Sequence, residues 1–202
     1  MKYKLTKQTR IVDEHILHRV QALKNFGGVK KGDLGGWIET EDNLSQDGNA
    51  WVRDNACVSE NARVFGDAQI YDNAQISGHA YIWGNAQVCD NARVFGYAQI
   101  RDDAQVFGSA WVFDTARVYD NARVSGNAWV FGTAQIGGNL KIIGGEFYHT
   151  QDKSAIVEKI NNDNEFVTLC SNPKFAEEES KGKKVKIKLA EGIIIEGELI
   201  ED

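Results

Sequence analysis

An all-β parallel solenoid is the fold this sequence predicts, and three observations predict it. A six-residue repeat runs from Asn49 to Gly144 without insertion, sixteen hexads in 96 residues. The fourth position is Val or Ile in every hexad, from Val52 to Ile142, and the second is Ala in all but the last, where Leu140 stands. Side chains also recur at a spacing of 18: Gln69, Gln87 and Gln105; Phe95, Phe113 and Phe131; Trp111 and Trp129. Such a repeat marks a solenoid, in which each unit buries its apolar face only by stacking on its neighbours.

Each hexad reads as a short strand and a corner. Apolar residues at positions two and four, with polar or aromatic residues at three and five, give the alternation of a half-buried strand. Gly or Asp at position six and Asn or Asp at position one tolerate a bend and satisfy backbone groups through local Asx-type hydrogen bonds. The β-branched Val or Ile fills the interior, and Ala leaves room where faces converge. Recurrence at 18 makes three hexads one coil. The repeat then spans about five coils, a prism about 25 Å long at about 4.8 Å per coil.

Residues 1–48 end in Leu34-Gly35-Gly36-Trp37-Ile38 and Asn43-Leu44-Ser45-Gln46-Asp47-Gly48, the second in hexad register as a degenerate first rung. Upstream, Lys4–Thr6 and Ile16–Leu23 form a β-hairpin around Asp13-Glu14, or a short helix covers His15–Asn25; the apolar spacing does not decide. Either way the segment is expected to cap the unpaired edges of the first coil.

The run from Leu17 to Ala56, with LGGWIE and NLSQDG at its centre, resembles the amino-terminal signature of a group of bacterial and bacteriophage hexapeptide-repeat proteins. The resemblance covers residues 1–144 and implies a triangular, left-handed parallel β-helix. Crossover rules alone favour the right hand, so the hand rests on the resemblance. It also implies trimers along the prism faces, a phage or prophage origin and the cytoplasm of the host cell. It carries over no catalytic residue.

The tail, residues 145–202, reads as a separate β-rich module. Ala155–Val157, Phe166–Leu169 and Val185–Leu189 are strand candidates, and Ile193–Ile200 returns as a terminal hairpin after Ala190-Glu191-Gly192. Glu177–Lys184 is a charged linker. A cap on the final coil and a partner-recruiting module both fit this pattern.

Charge and cysteine usage narrow the function classes. The net charge of −6 divides as +1 over residues 1–48, −2 over the repeat and −5 over the tail. No basic stripe is present, which argues against general nucleic-acid binding. No apolar run is long enough for a membrane span, and no secretory signal is present. Cys57, Cys89 and Cys170 lack metal-type spacing and fit a reducing cytosol better than a disulfide framework.

The outward positions divide into three columns. Face A carries Trp51/Arg53, Gln69/Tyr71, Gln87/Cys89, Gln105/Phe107 and Arg123/Ser125, with a glutamine ladder that reads as structural. Face B carries Phe95, Trp111, Phe113, Trp129 and Phe131 in its last three coils. At about 150–250 Å² each, these rings exceed what a monomer usually leaves exposed, so face B is the candidate oligomer or partner interface. Face C holds Arg63, Tyr81, Trp83, Arg101, Arg117 and Tyr119, with Gln99 beside Arg101, and His79 and Tyr97 replace the repeat's usual Asn or Asp at the adjoining corner. These eight residues form the candidate site for a small anionic ligand, with Trp83, Arg101 and Tyr119 predicted as one aromatic–cation–aromatic column. Asp54, Asp72 and Asp90 align at another corner, where turn structure explains them without a metal.

Many proteins of the hexapeptide-repeat class use acyl-CoA, so acyl transfer is the enzymatic alternative that the resemblance implies. A base must reach the acceptor. Of the histidines His15, His18, His79 and His149, only His79 lies in the repeat, at a bend, and no loop interrupts the coils. A single repeat histidine does not supply a three-histidine zinc site within one chain. The sequence therefore predicts a non-enzymatic binding or scaffold protein without cofactor, homo-oligomeric and recognising a macromolecular partner. In the phage context that partner is a host protein, including a defence component. A small nucleotide-type ligand is the alternative reading, and acyl transfer the third.

Overall fold

The computed structural model describes residues 1–147 and, beyond them, the strand segments 156–157, 183–188 and 194–199. Sixteen two-residue strands, β4 (Trp51–Val52) to β19 (Lys141–Ile142), occur one per hexad. They assemble into three parallel sheets, with partners 18 residues apart, as in Gln69↔Gln87 and Trp111↔Trp129. The sheets are the three predicted faces. Every Ala at position two and every Val or Ile at position four is buried, so one apolar column runs down the prism axis.

The corners follow a rule that the sequence only half expressed. Position six adopts positive φ from Asp54 to Gly138, for example 55° at Asp90 and 67° at Gly96. Gly or Asp stands there in every case but Glu60, because that conformation is costly for most L-residues. The expected local Asx bonds are not the main device. Instead the carboxylate accepts from the backbone N–H one coil further on: Gly108 N to Asp90 Oδ2 is 2.9 Å, and Gly138 N to Asp120 Oδ2 is 2.9 Å. Asp54 and Asp72 make the same bond at 3.4 and 3.3 Å, so the aligned aspartates are a backbone-capping ladder.

The leader is a β-hairpin, which resolves the alternative against a helix. β1 (Tyr3–Val12) pairs with β2 (His15–Ala22) around Asp13-Glu14, both with positive φ as a two-residue hairpin turn requires. β2 then pairs antiparallel with β3 (Leu34–Ile38), and β3 continues as a parallel rung of face B through Trp37↔Cys57 and Ile38↔Val58. That register is 20, not 18. Leu44 likewise lies opposite Val64, so the first rung is two residues out of the hexad register expected for Asn43–Gly48. The extra residues sit between Leu44 and Gly48, where the chain passes beneath the hairpin.

The open edge of the ladder explains what the cap is made of. Each coil bonds the coil after it, as Trp51 N does to Ala68 O, so groups of the first coil that point away from the second, the Ala50 carbonyl among them, have no preceding rung to bond. The leader supplies donors. Lys2 Nζ reaches Asp47 O, Gly48 O and Ala50 O, while Tyr3 Oη donates to Leu44 O at 2.6 Å, with Glu41 O 3.0 Å away. Trp51, expected outward on face A, is only 3% exposed beneath Tyr3 and Phe26. Cys57 is buried in the same way on face B, in contact with Arg10.

At the other end the ladder passes the expected boundary at residue 144. β20 (Glu146–Phe147) and β21 (Ile156–Val157) add rungs opposite Trp129–Val130 and Gln135–Ile136, so the stack has about six coils where five were expected. The Trp129↔Glu146 step is 17 residues, one short of a full coil. β22 (Lys183–Lys188) and β23 (Ile194–Leu199) form the predicted terminal hairpin as a separate antiparallel pair. The strand expected at 166–169 and most of the linker expected at 177–184 lie outside the described residues.

Candidate functional site

Two outer surfaces carry the chemistry. On face B, stacking one coil on the next places like rings in register and nearly parallel. Phe95 and Phe113 centroids are 4.9 Å apart with planes at 4°, and Phe113 and Phe131 are 5.0 Å apart at 2°. Trp111 and Trp129 stack at 5.1 Å and 6°. The two columns also meet edge to face, Phe95 on Trp111 at 6.0 Å and Phe113 on Trp129 at 6.3 Å. Arg93 covers the top of the tryptophan column at 5.2 Å. All five predicted interface residues thus form one slab. Mutual stacking half-buries four of them, and Trp129 stays 40% exposed.

Face C divides differently from the expected column. Trp83 stacks on Phe65 in the coil before it, at 5.7 Å and 2°, and Tyr81 meets the same Phe65 edge-on at 6.4 Å. Arg101 turns the other way, over Tyr119 at 4.6 Å, with its Nη1 2.5 Å from Asp102 Oδ2. Tyr119 in turn lies flat against Gly137, where a Cβ would fall 2.3 Å from the Tyr119 ring. The predicted Trp83–Arg101–Tyr119 column is therefore two stacks that part between Trp83 and Arg101. Each ring takes the flat partner nearest it, and Phe65 and Tyr119 offer those partners on opposite sides.

The neighbouring corner brings together His79 and Tyr97, stacked at 4.8 Å and 4°. Tyr97 is 59% exposed and Tyr81 38% exposed. Arg63 and Arg117 are exposed and form no ion pair among the described residues. One face C residue outside the eight candidates, Gln99, sits in the middle of this group. It pairs in register with Tyr81 on one side and Arg117 on the other, with Tyr97 and Arg101 two residues away in its own strand and corner. Its signal was positional only, since the same residue type fills structural positions elsewhere.

Face A keeps the expected glutamine register, but its amides bond elsewhere. Gln69 Nε2 donates to Asn49 O and Asp67 O, and Tyr71 Oη donates to Gln87 Oε1. A hydrogen bond with Cys89, with burial adding to it, pushes the Tyr71 hydroxyl up to about 12. Burial likewise raises the Cys89 thiol. Asp72, Cys89 and Asp90 bring their ligand atoms within 4.8 Å of one another. Both carboxylates already accept backbone N–H groups and the thiol is held protonated, so the ladder accounts for the cluster.

The YdcK beta solenoid repeat is the family model that matches, over residues 86–102 and 116–132. Each stretch is about one coil, and together they include Phe95, Tyr97, Arg101, Arg117, Tyr119, Trp129 and Phe131. No curated protein matches the chain. The repeat, its three parallel sheets and this similarity lead to one identification: the chain is a repeat β-helix protein, a parallel β-solenoid.

Proposed function

We propose that this protein is a non-enzymatic binding scaffold that self-associates through face B. The observation that carries the reading is the slab formed by Phe95, Trp111, Phe113, Trp129 and Phe131. A flat aromatic surface on a rigid sheet loses little conformational entropy when it is covered, which favours association. A homo-oligomer buries the slab of every subunit at once, and a trimer is the order that the leader resemblance implies. The remaining faces then present themselves to a partner, which in the phage setting of that resemblance is a host protein in the host cytoplasm.

Light scattering after size exclusion tests the assignment. Trp129→Asp, at the most exposed ring of the slab, is expected to yield a folded monomer, and Trp111→Asp with Phe113→Asp a complete loss of assembly. A wild-type chain that runs as a monomer, or a Trp129→Asp variant with unchanged mass, sinks the face B reading.

A further inference from the structure

We propose a nucleotide-binding site on face C, centred on Gln99. Three observations converge there. First, the repeat needs only a small polar residue at the corner before each face C strand, as Asn61 and Thr115 show, yet His79 and Tyr97 occupy it in consecutive coils. They stack on each other and add nothing to the buried core, and Tyr97 remains 59% exposed. Second, the outward side chains lean apart around Gln99. Tyr81 and Trp83 contact Phe65 in the preceding coil, whereas Arg101 contacts Tyr119 in the following one. Third, the polar groups left at this parting lack internal partners. The Gln99 amide makes no hydrogen bond among the described residues, and the Arg117 guanidinium pairs with no carboxylate among them.

These groups supply what a nucleoside monophosphate requires. Tyr97 and Tyr81 offer exposed ring faces and edges on which a base can stack. The Gln99 amide presents a donor and an acceptor to the base edge. Arg117, one coil below Gln99, takes the phosphate through the paired N–H groups of its guanidinium. The dimensions agree. Tyr81 and Arg117 lie two coil steps apart, about 10 Å, and Tyr97 and Arg101 four residues apart, about 13 Å along the strand direction. The site uses none of the five slab residues, although Tyr97 stands at the corner that face C shares with face B.

Calorimetric titration of the full chain with adenosine 5′-monophosphate tests the proposal, with adenosine and inorganic phosphate as separate arms. Two variants replace a site residue with one the repeat already uses in the same column, so the fold is kept: Tyr97→Asn after Asn61, and Arg117→Gln after Gln135. Saturable binding of the nucleotide, tighter than either part alone and at least about tenfold weaker in both variants, is the expected result. Absence of saturation at millimolar nucleotide, or unchanged affinity in either variant, overturns the site.

Discussion

The Lys2 ammonium donates a hydrogen bond to the Ala50 carbonyl oxygen at 2.9 Å, with only 1% of the lysine exposed. Two further carbonyls, of Asp47 and Gly48, lie at 3.3 and 3.4 Å from the same nitrogen, and the Phe26 ring sits 5.1 Å away. One side chain therefore caps three carbonyls at the open end of the ladder. Lys2→Met keeps the stem and removes the donor. It is expected to cost at least about 2 kcal/mol, because buried carbonyls lose their partner. In a chain of this size that lowers the Tm by about 5 °C in a thermal melt.

The same residue gives a pH signature. Burial brings the Lys2 pKa down to about 8 from its ordinary 10.5, against the opposing pull of Asp47. Between these two values the unfolded chain binds more protons than the folded one, so this group's contribution rises with pH across that window and is flat below it. The Tm difference between wild type and Lys2→Met should therefore widen from pH 8 to pH 10. A constant difference would contradict the burial of a charged ammonium.

Gly35 supports the cap from the other side. A Cβ there would fall 2.5 Å from Val20 Cγ2, 2.5 Å from Val52 O and 2.6 Å from Trp51 Cζ2. Two of those neighbours belong to the first full rung and one to the hairpin, so there is nowhere to yield. Gly35→Ala is expected to destabilise by about 1–3 kcal/mol through overpacking. Exposure of Trp51 should follow, read as a red shift of tryptophan emission before global unfolding.

The aspartate corners separate two contributions in a pair of variants. Asp90→Gly keeps the positive φ of 55° and loses only the bond from Gly108 N. Asp90→Ala loses the bond and adds steric strain in the left-handed region. The alanine variant should be the less stable by about 1 kcal/mol in chemical denaturation. Equal stability of the two would mean that the backbone at this corner relaxes.

His15 ties the hairpin turn to the β-helix. Its Nδ1 lies 3.1 Å from Glu39 Oε1 and its Nε2 3.7 Å from Glu60 Oε1. The Glu39 hydrogen bond raises the His15 pKa above its ordinary 6.5, with Glu60 and Asp13 adding to it. The bond's stabilisation is thus fully present below pH 6.5 and fades as pH rises through the folded-state value. Water screens so exposed a pair, so the effect is local. Amide exchange around Asp13–His15, corrected for intrinsic rate, should quicken between pH 6 and pH 8 in wild type and not in His15→Ala.

The period of six made the coil, the buried Ala and Val/Ile columns and the three outer faces readable, because each depends only on residue spacing. The leader was harder. Its hairpin strands lack a decisive period, and its role depends on Lys2 meeting carbonyls more than forty residues away. The two-residue excess before Gly48 was invisible, since NLSQDG imitates the hexad while Leu44 takes the interior place opposite Val64. On face B, register alone was enough to predict ladders, and Trp111 on Trp129 follows it.

The sequence by itself determined the solenoid, the Ala and Val/Ile core of its hexads and the row and column of the residues within them, because a strict repeat converts chain position directly into spatial position. The tertiary structure decided how those outward side chains lean. Trp83 and Arg101 occupy adjacent places in one column, yet one packs towards Phe65 and the other towards Tyr119. A side chain's choice between the coil above and the coil below is set by which neighbour offers a flat surface at van der Waals distance. That competition leaves Gln99 at the parting of the two stacks.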